Sequence, residues 1–350
     1  MSFEIQKLVR PNIRRFRPYS SARSEFAGTA DVFLDANENA FGSPAGNGFN
    51  RYPDPLQIDL KNRVAEMSDV APSQIFIGNG SDEAIDLLFR IFCEPGRDEC
   101  VVCPPTYGMY GVSAEINDVV VNEIPLNSAF QLNVPSILSS ISPHTKLIFI
   151  CSPNNPTGNL MKRDDVIEVA KRFEGIVVVD EAYIEFADEP SMIDEIERFP
   201  NIVVLRTFSK AWGMAGLRVG LAFGTETVIE LMNRVKPPYN ISSLAQQAVL
   251  NALDEKKKIG SWIVNTLAER ERLSEAVAAY PFVEDVYPSD ANFILVRTVD
   301  ANAIYRYLIT ENIVVRDRSR VAFCEGCLRI TIGTDRENDR LLEALENYRI

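Results

Sequence analysis

LIFICSPNNPTGNLMKRDDVIEVAKRFEGIVVVDEAY, residues 147–183, contains two buried-strand patterns with one helical pattern between them. The apolar run Leu147–Cys151 stops at Ser152–Gly158, a loop holding two prolines, two asparagines and a glycine. Such residues specify a rigid turn. A segment of helical period follows at Arg163–Phe173, and then the β-branched run Ile176–Val179, which ends on Asp180. Strands that are apolar at every position, joined through a helix, describe a βαβ unit in a parallel sheet covered on both faces. A carboxylate at the C-terminal end of such a strand lies where doubly wound sheets bind ligands.

The same alternation extends outward in both directions. Ile75–Gly78, Cys100–Cys103 and Val119–Ile124 precede this unit, and Ile202–Leu205 and Val219–Phe223 follow it. Glu83–Phe92 repeats apolar residues at helical spacing. Beyond about residue 225 the pattern becomes helical to Tyr280, broken at Lys236-Pro-Pro-Tyr239. Strand-like Phe293–Arg297, helical Ala301–Thr310, strand-like Ile313–Arg316 and Cys327–Ile332, and a final helix complete the chain. The expected fold is α/β: a large domain with a mainly parallel sheet sandwiched by helices, plus a smaller C-terminal α/β domain. The expected divisions are an extended N-terminal arm at 1–30 packing with the small domain, a large domain at 31–240 and a small domain at 241–350.

Composition narrows the function class. Among 350 residues, 36 Lys and Arg stand against 49 Asp and Glu, a net charge of −13. That balance argues against nucleic acid or an anionic membrane as partner. No apolar run approaches the ~20 residues of a membrane span, and the N-terminal Met-Ser-Phe-Glu-Ile-Gln-Lys lacks a basic-then-apolar signal pattern. A cytoplasmic protein is expected. The pairs Cys100-Val-Val-Cys103 and Cys324-Glu-Gly-Cys327 could ligate a metal, but positions i and i+3 of a strand face opposite ways. Inert buried thiols are the favoured reading, with no metal. The single histidine, His144, stands in a turn-like Ser-Pro-His-Thr. Chemistry must therefore use lysine, carboxylates or a cofactor.

Four elements could carry it. Gly78-Asn-Gly80-Ser81-Asp82-Glu83 follows a strand and opens a helix; Ser81 can cap that helix, and the free N–H groups suit a phosphate. The loop at Asn155 is a turn when taken alone. Asp180 needs a partner to offset its desolvation, and by itself could be a metal ligand or a helix cap. In Arg206-Thr-Phe-Ser-Lys210-Ala-Trp-Gly-Met-Ala-Gly216-Leu-Arg218-Val-Gly220, a desolvated Lys210 would be a nucleophile able to form a Schiff base. Arg218 could bind a phosphate in bidentate fashion.

Taken together and in this order, these elements resemble the pyridoxal-phosphate-dependent aminotransferases of fold type I, over nearly the whole chain. Within them the match is closest to the histidinol-phosphate aminotransferases. It rests on Arg17-Pro-Tyr19, Leu34-Asp-Ala-Asn37-Glu-Asn39, Arg51-Tyr-Pro-Asp54 and Cys327-Leu-Arg329-Ile-Thr-Ile-Gly333. The resemblance implies pyridoxal 5'-phosphate as cofactor, with Lys210 as its Schiff-base lysine and proton shuttle. Asp180 would pair with the pyridinium nitrogen, and Asn155 and Tyr183 would hydrogen-bond the 3'-oxygen. Tyr107 would stack on the ring. Gly80, Ser81, Asp82, Thr207, Ser209 and Arg218 would hold the phosphate, joined by Tyr52 from the second subunit of a homodimer. Arg329 would bind the keto acid's carboxylate and the donor's phosphate, with Arg316 as second cation and Tyr19, Asn155 and Tyr52 as further polar contacts.

The implied reaction interconverts L-histidinol phosphate plus 2-oxoglutarate and imidazole-acetol phosphate plus L-glutamate, in histidine biosynthesis. Two alternatives share the cofactor: an aromatic amino acid aminotransferase and a phosphothreonine-type decarboxylase. A ligand-sensing regulator is a different class. Such regulators usually carry a DNA-binding domain ahead of the core, where this chain has only about 30 residues.

Overall fold

The computed structural model describes residues 4–19, 22–25, 30–46 and 48–349. Seven strands form the larger sheet: β1 Ile75–Asn79, β2 Glu99–Val102, β3 Val120–Glu123, β4 Thr145–Cys151, β5 Ile176–Asp180, β6 Ile202–Thr207 and β7 Val219–Phe223. Their order is β1-β7-β6-β5-β4-β2-β3. Pairs from β3 through β6 are parallel, and β7 runs antiparallel between β6 and β1. Strand β4 shows why the chain chooses this layer. Leu147, Phe149 and Cys151 enter one core, with helices Ser81–Phe92 and Glu226–Val235, while Ile148 and Ile150 enter the other, with helices Ile58–Ser68, Arg163–Arg172 and Ser243–Leu253. Both faces are buried, so both sets of alternating positions must be apolar.

Cys100 and Cys103 fall in these two different cores. Burial raises both thiols to about 12, so neither is a reactive thiolate at neutral pH.

The smaller sheet is antiparallel, in the order β10-β11-β9-β8, with β8 Val283–Tyr287, β9 Phe293–Thr298, β10 Arg316–Asp317 and β11 Cys327–Thr331. Helices Ala301–Thr310 and Asp335–Asn347 pack on it. No helix among the described residues is long and apolar enough to cross a membrane.

Several expectations need correction. Ile5 and Val9 of the arm are buried with the Ser81–Phe92 and Glu226–Val235 helices, and Arg10 donates its backbone N–H to the Ile91 carbonyl at 3.0 Å. Among the described residues the arm therefore packs on the large layer, not on the small domain, and its early part is two short helices, Ile5–Leu8 and Pro11–Arg15. The division at 240/241 falls too early. Ile241, Ala245, Val249, Leu253 and Ile259 are buried in a large-sheet core, and the Lys256–Ala278 helix reaches the smaller core only at Leu273 and Val277. The two prolines after Lys236 punctuate helices rather than domains. Ile313–Arg316 shrinks to the two-residue β10, because Ile313 and Val315 pack against the core from a loop.

The turns after β1, β4, β5 and β6 all open at one edge of the sheet. The turn after β1 is crowded: a Cβ placed on Gly220 would strike the Ser81 nitrogen. Gly220 sits opposite Gly78 in the β1–β7 pair. Gly220→Ala should therefore cost about 3 kcal/mol, the upper end of overpacking. A urea midpoint unchanged from the parent would show that this turn yields freely.

Candidate active site

A cavity of about 370 Å³ lies at that sheet edge, lined by residues of both layers. It gathers Gly80, Ser81, Asp82, Tyr107, Asn155, Asp180, Tyr183, Thr207, Ser209, Lys210, Arg218, Arg316 and Arg329, each expected from the sequence. Tyr19 and Tyr52 are not brought there in the single chain. Tyr19 is exposed, and Tyr52 stacks on Tyr239 with centroids 4.4 Å apart. A wider groove of about 1320 Å³ runs between residues 312–315 and the last helix and is lined by none of the candidate site residues.

The turn after β1 builds a cradle. Gly80, at φ +75°, precedes the helix, and Ser81 is the first helical residue rather than the cap. The first N–H groups of a helix have no intrahelical partner, so those of Ser81 and Asp82 are free to meet an anion. Any side chain at position 80 would strike Arg218, whose Nη2 lies 2.6 Å from the Cβ position. Arg218 itself stands 3.5 Å from the Asp82 carboxylate, which also accepts from the Tyr107 hydroxyl at 3.1 Å. From the turn after β6, the Ser209 N–H donates to Thr207 Oγ1 at 3.0 Å.

Asp180 is buried at the end of β5, opposite Cys151 of β4 and Leu205 of β6. It accepts from the Tyr110 hydroxyl at 2.8 Å and the Ala182 N–H at 3.1 Å. No cation pairs with it among the described residues, and burial raises its pKa to about 6. A buried carboxylate without a countercharge is a costly feature that a bound cation would relieve.

Lys210 is open to the cavity rather than sealed from it. Protein nevertheless surrounds its amine closely enough that desolvation, and then the charge of Arg329, lowers its pKa. The ammonium lies 5.3 Å from the centroid of the Tyr183 ring. Burial raises the Tyr183 phenol, which stays protonated and can donate a hydrogen bond. Asn155 accepts from Arg329 through Oδ1, and among the described residues its NH2 group donates no hydrogen bond. The loop beneath is held by Asn154, whose Nδ2 donates to the Pro105 carbonyl at 2.8 Å and to Thr157 Oγ1 at 2.7 Å.

Arg329 of β11 lies opposite Arg316 of β10, so the smaller sheet presents both guanidiniums to the cavity. Five cationic side chains line it, including Arg318, against the carboxylates of Asp82 and Asp180. The net-acidic chain thus carries a cationic cleft, an arrangement that concentrates anions. Two residues escaped the sequence reading: Arg318, and Tyr110 beneath Asp180. The usable signals were the Arg316-x-Arg318 alternation and the helical spacing of Tyr107 and Tyr110.

The donor set fits a flat cationic ring bearing a phosphate. It offers a side-chain-free cradle beside Arg218, a buried carboxylate with no cation among the described residues, and an amine of lowered pKa in the same cavity.

Comparison with known proteins agrees. The family model for aminotransferase class I and II matches residues 24–345. The histidinol-phosphate aminotransferase of Cytophaga hutchinsonii is 51% identical over 348 residues, covering 99% of this chain and 100% of that protein. The solved histidinol-phosphate aminotransferase of Clostridium acetobutylicum superimposes with a TM-score of 0.79 at 25% identity, covering 85% of this chain and 90% of that one. That of Sinorhizobium meliloti, solved in complex with pyridoxal-5'-phosphate, gives 0.78 at 26% identity, covering 89% and 88%. The chain belongs to the class I and II aminotransferase family, among its histidinol-phosphate aminotransferases.

Proposed function

We propose that this chain is a cytoplasmic, homodimeric enzyme of histidine biosynthesis that transfers the amino group of L-histidinol phosphate to 2-oxoglutarate, with pyridoxal 5'-phosphate as cofactor. The carrying observation is one cavity in which Lys210 stands with the cradle at Gly80–Asp82, the buried Asp180 and the Arg316–Arg329 pair. The likeness to the Cytophaga hutchinsonii aminotransferase supports the choice of substrate, and the Sinorhizobium meliloti complex supports the cofactor. A decarboxylase or an aromatic aminotransferase is less favoured by these likenesses.

When bound, the cofactor supplies a carbonyl for the donor's amine and a ring that accepts the electrons released at the amine-bearing carbon. The N–H groups of Ser81 and Asp82, with Thr207, Ser209 and Arg218, would hold its phosphate, whereas the Gly80 N–H, expected to join them, already donates to the Arg218 carbonyl at 2.9 Å. Tyr52 is proposed to reach the same phosphate from the second subunit. Tyr107 would stack on the ring, and Asp180 would keep its nitrogen protonated. Asn155 and Tyr183 would donate hydrogen bonds to the ring oxygen. Lys210 would hold the cofactor through its amine and would move the proton at the donor's amine-bearing carbon. Its lowered pKa favours the neutral amine that this base role needs. Arg329 and Arg316 bind the donor's phosphate in the first half-reaction and the keto acid's carboxylate in the second. Tyr19 is proposed as a further polar contact from the arm.

The test is purified protein, loaded with pyridoxal 5'-phosphate, given L-histidinol phosphate and 2-oxoglutarate. Glutamate and imidazole-acetol phosphate should form in equal amounts, and sedimentation should show a dimer. Carbon dioxide release from phosphothreonine, or turnover confined to aromatic amino acids, would replace the reading.

A further inference from the structure

The cavity holds one more guanidinium than that chemistry uses. Arg318 lines it beside Arg316 and Arg329. The Arg318 N–H donates to the Cys327 carbonyl at 2.8 Å, continuing the β10–β11 ladder past its last paired residue. Alternation along a strand therefore turns Arg316 and Arg318 to one side. Asp317, between them, turns away and accepts from the Ser319 N–H at 2.8 Å and from Asn302. The acid nearest in sequence thus does not neutralise either arginine.

Among the described residues, the side chains of Arg316 and Arg318 make no hydrogen bond or ion pair, and the Nε atoms of Arg318 and Arg329 are buried without a partner. Like charges set opposite each other destabilise a strand pair. Three such groups on one face, with buried donors unsatisfied, form a site that only an anion completes. A carboxylate brings one charge and two oxygens, which a single bidentate guanidinium satisfies. A phosphate monoester brings close to two charges at neutral pH and three acceptor oxygens.

We propose that Arg318 is a specificity-determining residue: with Arg316 and Arg329 it completes a three-guanidinium pocket for a phosphate monoester dianion, and so favours the phosphorylated amino donor over carboxylate substrates. This rests on the proposed transamination. Arg329 serves both substrates, whereas Arg318 serves the phosphate.

The test uses the loaded enzyme and its Arg318→Gln and Arg318→Lys variants. Each half-reaction is followed separately, with L-histidinol phosphate and with glutamate, and inorganic phosphate binding is measured by calorimetry at pH 8 and pH 5.5. Arg318→Gln should weaken both histidinol phosphate and inorganic phosphate at pH 8 by about ten- to hundredfold, the usual value of a hydrogen bond to a charged group. The glutamate half-reaction should change by less than about threefold. The phosphate loss should shrink at pH 5.5, where the monoanion dominates, and Lys should restore part of it.

The unfolding midpoint of Arg318→Gln should hold or rise, since a like charge has been removed. A structural arginine would lower it. Equal losses on both half-reactions, or undiminished phosphate binding, would overturn the proposal. Parent enzyme that uses glutamate but not histidinol phosphate would instead sink the substrate reading, and the phosphate titration would still decide the role of Arg318.

Discussion

Lys210→Ala is expected to lower kcat by about ten-thousand-fold, the upper end of what a positioned proton-transfer group contributes. The loss is expected to be this large because the described residues of the cavity offer no second free base. Asp180 is engaged by Tyr110 and Ala182, Asp82 by Tyr107 and Arg218, and burial keeps the Tyr183 phenol protonated. The variant should fold and retain cofactor non-covalently, since the Gly80–Asp82 cradle and Arg218 are untouched. Single-turnover measurement with saturating cofactor separates the two effects. Retention of more than about a hundredth of the activity would place the proton transfer on another group.

Asp180→Asn is expected to have opposite effects on activity and on the stability of the cofactor-free protein. Removing one member of a buried charge pair costs several kcal/mol, so kcat should fall about a hundred- to thousandfold. Without cofactor, the Asp180 pKa lies at about 6, against 3.8 for an unperturbed aspartate. Between those values the folded state holds a proton that the unfolded chain has lost. Stability therefore falls as pH rises from about 4 to about 6, by about 3 kcal/mol in all. The neutral amide of the variant would carry no such cost. It can still take both partners, accepting from the Ala182 N–H and donating to the Tyr110 oxygen. The cofactor-free variant should thus unfold at higher temperature than its parent at pH 8 and at the same temperature near pH 4. Glu181, raised to about 7 by burial, adds a slope of the same sign to both proteins and leaves the difference intact. Cofactor should remove the advantage by giving the parent's carboxylate its cation. A variant less stable than the parent at pH 8 would mean that Asp180 is a structural residue first.

Much of this was legible because the large sheet is buried on both faces. Continuous apolar runs have no other stable place, so β1, β4, β5 and β7 fall within about two residues of their expected bounds. The turns that hold the site were legible for a related reason: glycines, asparagines and a lone lysine interrupt those runs at fixed offsets. The smaller sheet was harder. Strand β8 carries Glu284 and Asp285 on a half-exposed edge, so its apolar signal is diluted. Arg318 acquires meaning only from Arg329, across a strand pair that no local pattern announces. Tyr110 looks like an ordinary core aromatic until the fold places its hydroxyl on Asp180. The division at 240/241 failed because prolines mark the ends of helices, while only packing shows which core a helix serves.

The contrast between an acidic exterior and a cationic cleft separates two demands that often compete. Colloidal solubility depends on charge spread over the whole surface, whereas capture of an anionic metabolite depends on the few ångströms around Arg218, Arg316, Arg318 and Arg329. At physiological ionic strength a charge is screened within about 8 Å. Acidic residues can therefore accumulate elsewhere on the exterior without weakening the cleft's hold on its substrate, and drift toward a more negative protein would be tolerated everywhere except at that one mouth.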